Sequence, residues 1–349
     1  MTSRQKNRFT ADALAMGLVA ALLPTVAYAQ LAEKSTPPPM PGRLVATDAG
    51  HRLHVWCTGE GEAPTVILIG GGGGYSIDWA LVQPAIAKTS RVCSYDRAGF
   101  AWSDRGPAPR GVGVSATELH QVLGRAGVRP PYVLVGISLG GTIARVFAHK
   151  YSDEVAGVVL VDSTLEGSTA QVPEDILNGL DTPAEAESDP ADHLPSDMRA
   201  IRTWARSLSL QEQAPPTIRD GKVELPTAGM SFPIPMWLET SDLSEPSLAI
   251  KATMTGTQVP FGDKPLFVIS AGRLSWDAQA RATGASYTVG LRAHIANQAY
   301  AAGLSRNSQF VVARDSFHAV IFYEPQLVTN AILQVLVSAR TGDRLKPLP

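Results

Sequence analysis

The chain has 349 residues, of which 44% are hydrophobic and 18% are charged, and its formal net charge at pH 7 is −2. This length and composition are typical of a globular protein built from one large domain with an insertion. A mildly acidic chain without a basic stripe lacks the electrostatic footprint of a nucleic-acid-binding protein, so we expect no nucleic-acid partner.

The first 29 residues have the layout of a secretory signal peptide. Three basic residues precede an apolar stretch at 13–23, and an A-x-A cleavage sequence ends at Ala29. An uncleaved membrane anchor is the alternative, but this stretch and all later ones fall short of the ~20 apolar residues that a spanning helix needs. We therefore expect a periplasmic or secreted protein, cleaved near Ala29 and without a membrane span. A proline-containing linker is expected at 30–42.

Short apolar runs then alternate with turn residues and helical patterns. The runs predicted to be strands are Leu53–Cys57, Thr65–Ile69, Arg91–Tyr95, Tyr132–Val135, Gly157–Val161, Leu266–Ser270 and Gln309–Val312. Several are apolar throughout, which indicates burial on both faces. Ser115 and Glu118 have the spacing of a capping box at a helix start, and Pro325 is typical of the first position of a further helix. The alternation predicts an α/β fold with a mostly parallel sheet flanked by helices.

The run Gly70–Gly74 directly follows one of these strands. Glycines allow the backbone to approach a substrate closely, and we expect the amide of Gly72 to donate to an oxyanion. Phosphate binding is the alternative, but it requires G-x-G-x-x-G opening a helix or Lys-Ser/Thr after the glycines, and 75–79 read Tyr-Ser-Ile-Asp-Trp instead.

The sequence Gly136-Ile-Ser138-Leu-Gly140 lies between a predicted strand and a predicted helix. This is the context of a nucleophile elbow, in which a strained serine points its hydroxyl out of the sheet. Ser138 is therefore the candidate nucleophile. The amide of Leu139, at the helix N-terminus, is the second expected oxyanion donor.

The alternation of strands and helices stops between Ser163 and Lys264. These 102 residues contain eleven prolines and one amphipathic helix around Met198–Leu208. Because a parallel sheet rarely tolerates so long a loop, we interpret 163–264 as an inserted cap, and 43–162 with 265–349 as the core.

A serine nucleophile needs a histidine base and a carboxylate that orients it. His318 is the preferred base, because it follows the last predicted strand. For the other six histidines we expect surface or packing roles: His51, His54, His120, His149, His193 and His294. Asp162 ends a strand and faces the same sheet edge as Ser138, so it is the preferred acid. Asp277, seven residues beyond a later strand, is the alternative.

With these residues the chain resembles the α/β-hydrolase superfamily, in its branch of secreted or periplasmic serine hydrolases. The motifs that carry the resemblance are Gly70–Gly74 with Asp78-Trp79, Ser94–Asp104, Gly136–Gly141, Val159–Ser163 and Phe317-His318. The resemblance covers essentially 43–162 and 263–340, and it implies an α/β-hydrolase fold with an inserted cap. It also implies the roles given above for the serine, the histidine and the two amide donors. The aspartate usual in relatives near Leu274 is missing here, and some relatives take their acid from the preceding strand end, as Asp162 would supply it.

The two cysteines, Cys57 and Cys93, lie in separate apolar runs. Sequence alone leaves open a disulfide, which export would permit, or two buried thiols. The family fold places their strands side by side and thereby implies a disulfide.

The expected function is cleavage of a small-molecule carboxylic ester through an acyl-enzyme intermediate with a Ser-His-Asp triad. The alternatives are a lactonase, an aminopeptidase or a C–C bond hydrolase on the same triad, or a non-catalytic ligand-binding protein. Epoxide hydrolases and dehalogenases of this fold use an aspartate nucleophile, which Ser138 argues against. No metal or organic cofactor is expected, because His-Glu-x-x-His and paired-cysteine motifs are absent from the sequence.

Overall fold

The computed structural model describes residues 39–107, 110–163, 171–178, 180, 188–210, 217–219, 222–224, 259–274 and 287–348. The strands are β1 (Arg43–Ala46), β2 (Arg52–Thr58), β3 (Thr65–Ile69), β4 (Val92–Tyr95), β5 (Tyr132–Ile137), β6 (Val155–Val161), β7 (Thr217–Arg219), β8 (Lys222–Glu224), β9 (Leu266–Ala271) and β10 (Ser308–Ala313). The helices are α1 (Gln83–Ile86), α2 (Val112–Arg125), α3 (Leu139–Lys150), α4 (Glu174–Leu177), α5 (Ser196–Leu210), α6 (Tyr287–Tyr300), α7 (Val320–Tyr323) and α8 (Pro325–Thr341).

Eight of these strands form one sheet in the order β1-β2-β4-β3-β5-β6-β9-β10. The six strands from β4 to β10 in that order run parallel, and β1 and β2 form an antiparallel edge. All seven predicted strands are present, so the predicted mostly parallel sheet is confirmed. Strand β1 was not predicted, because only Val45 of its four residues is buried.

Helices cover both faces of the sheet, as burial at nearly every position of the central strands requires. On one face, strand residues such as Leu134 and Leu160 pack with residues of α2 and α3. On the other face, the intervening positions, such as Val133 and Val159, pack with α8. This period of two explains why the central strands are apolar at nearly every position.

The predicted capping box at Ser115 and Glu118 is wrong. Helix α2 begins at Val112, one turn earlier, and the amide of Ser115 donates to the carbonyl of Gly111 at 3.1 Å. Glu118 instead accepts from the buried Arg110 side chain, at 3.0 Å for one of its oxygens. Glu118 therefore belongs to a buried ion pair and not to a helix cap.

The two cysteines form a disulfide in the structure. Cys57 on β2 lies directly opposite Cys93 on β4 in the antiparallel register, which brings the side chains together. The bridge closes a loop with a sequence separation of 36 residues, for which the chain-entropy account gives a stabilisation of about 3–4 kcal/mol.

The cap is described in part. Helix α5 confirms the predicted amphipathic helix, while β7 and β8 form a two-stranded antiparallel sheet within the same insertion. The boundaries of the cap at 163–264 stay predictions, and the predicted signal peptide at 1–29 lies outside the described residues. In the part of the chain that the structure describes, no helix combines the length and apolarity needed to cross a bilayer.

Candidate active site

Ser138 occupies the turn between β5 and α3 with a strained backbone. Its φ is 53° and its ψ is −124°, a conformation that L-residues rarely adopt. The turn is held by two backbone bonds of 3.0 Å, from the Ser138 amide to the Val161 carbonyl and from the Gly141 amide to the Ser138 carbonyl. A Cβ at Gly136 would lie 2.3 Å from the carbonyl oxygen of Gly140. The tight turn therefore requires glycine at this position.

The glycine-rich loop after β3 reaches this serine. A Cβ placed on Gly71 would lie only 3.2 Å from the Cβ of Ser138. Arg97, which is almost fully buried, donates to the carbonyls of Gly70 and Gly71 at 2.7 Å each and so fixes the loop. Arg97 received no role of its own in the sequence analysis, because its partners are backbone atoms that no side-chain pattern reveals.

The two expected oxyanion donors belong to the two segments that meet at Ser138, the glycine-rich loop and the start of α3. Gly72 follows Gly71 in the exposed part of the loop. Leu139 is the first residue of α3, where helical geometry leaves amides without intrahelical acceptors and favours negative charge. Their donation to an oxyanion stays a prediction.

Asp162 lies beside Ser138 at the end of the neighbouring strand. The parallel register pairs Ile137 with Val161, the residues that immediately precede Ser138 and Asp162. The Asp162 side chain is 1% exposed, and its backbone amide donates to the carbonyl of Ile269 at 2.7 Å. The alternative acid, Asp277, lies outside the described residues.

The imidazole of His318 contacts this buried carboxylate. His318 lies in the loop between β10 and α7, and its Nδ1 is 2.6 Å from Oδ2 of Asp162. Because an ionised carboxylate can only accept, the ring nitrogen is the donor. In a serine hydrolase this orientation presents the opposite ring nitrogen, Nε2, to the serine hydroxyl.

His294 is the site residue that the sequence analysis missed. It lies on α6, and its Nε2 is 2.7 Å from Oδ1 of Asp162. We expected a surface or packing role for this histidine, since nothing in a helical pattern signals a partner 132 residues away. The contact is created by the tertiary packing of α6 over the end of β6.

These contacts set the charge of Asp162. Burial raises the pKa of the Asp162 carboxyl. The hydrogen bonds from His294 and His318 and the positive charge of those rings together lower this pKa by a larger amount. The pKa therefore lies well below its ordinary value. These contacts therefore stabilise the folded protein. Their contribution is complete above the unfolded-state pKa of about 3.9 and is lost as the pH falls towards the folded-state pKa.

A second serine–histidine–aspartate group is entirely buried. His54 Nδ1 lies 2.7 Å from Oδ2 of Asp96, and the Ser76 amide donates to Oδ1 of the same carboxylate at 2.6 Å. All three residues are 0% exposed, so no substrate reaches them. Their contacts tie the segment after the glycine-rich loop to the end of β4, in agreement with the packing role expected of His54.

The described residues hold no cluster of three or more histidine, cysteine, aspartate or glutamate side chains that could bind a metal ion.

An ion pair connects helix α5 to the segment after the glycine-rich loop. Arg202 on α5 donates to Oδ1 of Asp78 at 2.8 Å, and Oδ2 accepts from the Tyr75 amide at 3.0 Å. Burial raises the pKa of the Asp78 carboxyl, and the charge of Arg202 opposes that rise. The pKa of Asp78 stays above its ordinary value, and the arginine supplies the counter-charge for this nearly buried carboxyl group.

The fold agrees with the comparisons. The family model of the alpha/beta hydrolase fold matches residues 64–215. The chain is similar to a thermophilic esterase from Thermogutta terrifontis, with a TM-score of 0.56 and 20% identity over 86% of this chain and 99% of that one. A carboxylesterase from Bacillus subtilis superimposes with a TM-score of 0.53 and 15% identity over 91% and 98% of the two chains. These comparisons show that the chain has an α/β-hydrolase fold.

Similarity to curated proteins is confined to parts of both chains. An uncharacterised protein of Schizosaccharomyces pombe is 32% identical over 154 residues, which are 35% of this chain and 28% of that protein. A putative carbamate hydrolase of Escherichia coli is 28% identical over 166 residues, or 46% and 59% of the two chains. The chain thus spans about a fifth to three fifths of the curated relatives that it matches.

Replacing Arg202 by methionine tests the link between the cap and the loop. The change leaves the Asp78 carboxylate without its counter-charge, so we expect a loss of about 3 kcal/mol in the free energy of unfolding, measured by urea titration. Arg206→Met on the same helix is the control, because Arg206 faces Asp189 at 3.8 Å in an exposed pair, and such pairs contribute about 0–1 kcal/mol. Equal losses in the two variants would contradict a structural role for the Arg202–Asp78 pair.

Proposed function

We propose that the protein is a serine hydrolase that cleaves small-molecule carboxylic esters through an acyl-enzyme intermediate. The single observation that carries this proposal is the hydrogen bond between buried Asp162 and His318, at the strand end next to Ser138. A carboxylate in this position orients the imidazole and stabilises the imidazolium that forms when the ring accepts a proton.

In the proposed mechanism Ser138 Oγ attacks the ester carbonyl while His318 Nε2 takes the hydroxyl proton. The negative charge that develops on the carbonyl oxygen is stabilised by the amides of Gly72 and Leu139. The tetrahedral intermediate collapses, the C–O bond breaks, and His318 returns the proton to the departing alcohol. Water, activated by the same imidazole, then hydrolyses the acyl-enzyme to release the acid and restore Ser138.

The serine on the strained turn favours acyl transfer over the other chemistry found on this fold. An epoxide hydrolase is also among the similar structures, with a TM-score of 0.55 and 16% identity. Enzymes of that class use an aspartate nucleophile, whereas a serine occupies the corresponding turn here. The esterases among the neighbours support an ester as the substrate, and their identities of 15–20% leave the particular ester to experiment.

Labelling with a fluorophosphonate tests the nucleophile directly. The wild-type protein should be labelled at Ser138, and Ser138→Ala should not be labelled. Ser76→Ala, which changes the buried serine group, is the control and should remain labelled. An unlabelled wild type, or a labelled Ser138→Ala variant, would contradict the assignment. A panel of aryl esters, lactones, carbamates and proline amides then defines the substrate class, and the proposal requires esters to give the highest kcat/KM.

Paired substitutions test the acid. Asp162→Asn keeps the size of the side chain but removes the charge that stabilises the imidazolium, so we expect kcat to fall by about 10³–10⁴-fold. Asp277→Asn should stay within about tenfold of the wild type, because we assign that residue no catalytic role. The opposite pattern, in which only Asp277→Asn loses a thousandfold, would assign the acid to Asp277.

The pH profile tests the base. Histidine accepts the serine proton only when its ring is neutral, so kcat/KM should fall at acid pH as the His318 ring becomes protonated. The measurement is kcat/KM for one aryl ester between pH 4 and pH 9. A rate that is unchanged down to pH 4 would exclude His318 as the base.

A further inference from the structure

Two imidazoles share one buried carboxylate in this site. His318 contacts Oδ2 of Asp162 at 2.6 Å, and His294 contacts Oδ1 at 2.7 Å. The backbone amide of Ala271 also donates to Oδ1, at 2.8 Å. Proton transfer with Ser138 needs only the first of these contacts, so the second histidine requires a separate explanation.

The helix that carries His294 is anchored to the end of β6. Gln298, which is 3% exposed, accepts from the Ser163 amide at 3.0 Å and donates to the Ser163 carbonyl at 2.8 Å. Residues four apart lie on the same face of a helix. Helix α6 therefore holds two consecutive residues: His294 binds Asp162, and Gln298 binds Ser163.

Among the described residues, few other ionisable groups face this contact. Strand β9 and the 3-10 turn Ala301–Leu304, which pack against α6, carry none. On α6 itself, Arg292 is paired with Glu174 of α4 at 2.9 Å. In the described part of the site the ionisable group in contact with His294 is therefore Asp162, which also binds His318 through its other oxygen.

We propose that His294 is a positioning residue whose Nε2–H holds the Asp162 carboxylate with Oδ2 facing His318. This inference rests on the proposed function, because it assigns His294 a role in the alignment of that triad. The donor on Oδ1 also draws negative charge away from Oδ2. His294 thereby limits how strongly the carboxylate stabilises a protonated His318.

Removal of the donor has two consequences. The carboxylate loses one of its two restraints on Oδ1 and aligns His318 less well, which lowers kcat. More of the negative charge then acts on His318, which favours its protonated form and moves the acid limb of the kcat/KM profile to higher pH. A residue that served only to pack α6 would not move this limb.

The experiment compares His294→Met with His294→Gln. Methionine fills the volume without a donor, whereas the glutamine amide nitrogen takes a position close to that of Nε2 and keeps the donor without a ring. For His294→Met we expect kcat to fall by about tenfold, as the loss of one hydrogen bond to a charged group allows, and the acid limb to rise by about half a pH unit. His294→Gln should restore kcat to within about threefold of the wild type and return the limb to its wild-type position.

His120→Met is the matched control. His120 also points Nε2 at a carboxylate, 3.0 Å from Oε1 of Glu154, but this pair lies between α2 and the turn before β6. The His120→Met variant should have the same kcat and the same acid limb of the kcat/KM profile as the wild type. Thermal unfolding of each variant verifies that the compared proteins are folded.

Two results would overturn the inference: a His294→Met profile that matches His120→Met, or a His294→Gln variant as impaired as His294→Met. Fluorophosphonate labelling of the wild type separates the two levels of the proposal. If the wild type is not labelled at Ser138, the proposed function fails. If it is labelled and His294→Met behaves like the wild type, only the role of His294 fails.

Discussion

The site depends on a negative charge held inside the protein. Asp162 is almost fully buried, and an isolated carboxylate in that position would take up a proton. It stays ionised because His318, His294 and the amide of Ala271 all donate to it. The sheet order makes this possible: β6 lies between β5, which ends at the serine turn, and β9, which ends at Ala271. The charge of Asp162 thus joins the end of β9, the loop that carries His318 and helix α6.

Buried polar contacts also fix the loops around the serine. Arg97 holds the glycine-rich loop through two carbonyls, the His54–Asp96 pair holds the segment that follows, and Arg202 connects the cap helix to Asp78. Each contact satisfies a charged or polar group that burial would otherwise destabilise. Preorganised donors and a fixed base are what acyl transfer requires, since groups that need not rearrange during the reaction stabilise its transition state most.

The sequence predicted the parts of this structure that follow from local pattern. Central strands were found because burial on both faces makes them apolar throughout, and Asp162 was preferred because a strand end alone fixes its position. Strand β1 was missed because a short edge strand buries one residue. Ser115 and Glu118 were misread because they have the spacing of a cap, whereas Glu118 pairs with Arg110 inside the protein. His294 could not be assigned from its helix, since its partner comes from a distant strand.

The most direct test of the account is a crystal structure of the protein after reaction with a fluorophosphonate. We expect phosphorus bonded to Ser138 Oγ and one phosphonyl oxygen within about 2.7–3.1 Å of the amides of Gly72 and Leu139. We also expect the His318 ring between Ser138 and Asp162, with His294 still on the far carboxylate oxygen. An adduct on another residue, or a His318 imidazole turned away from the adduct, would contradict it.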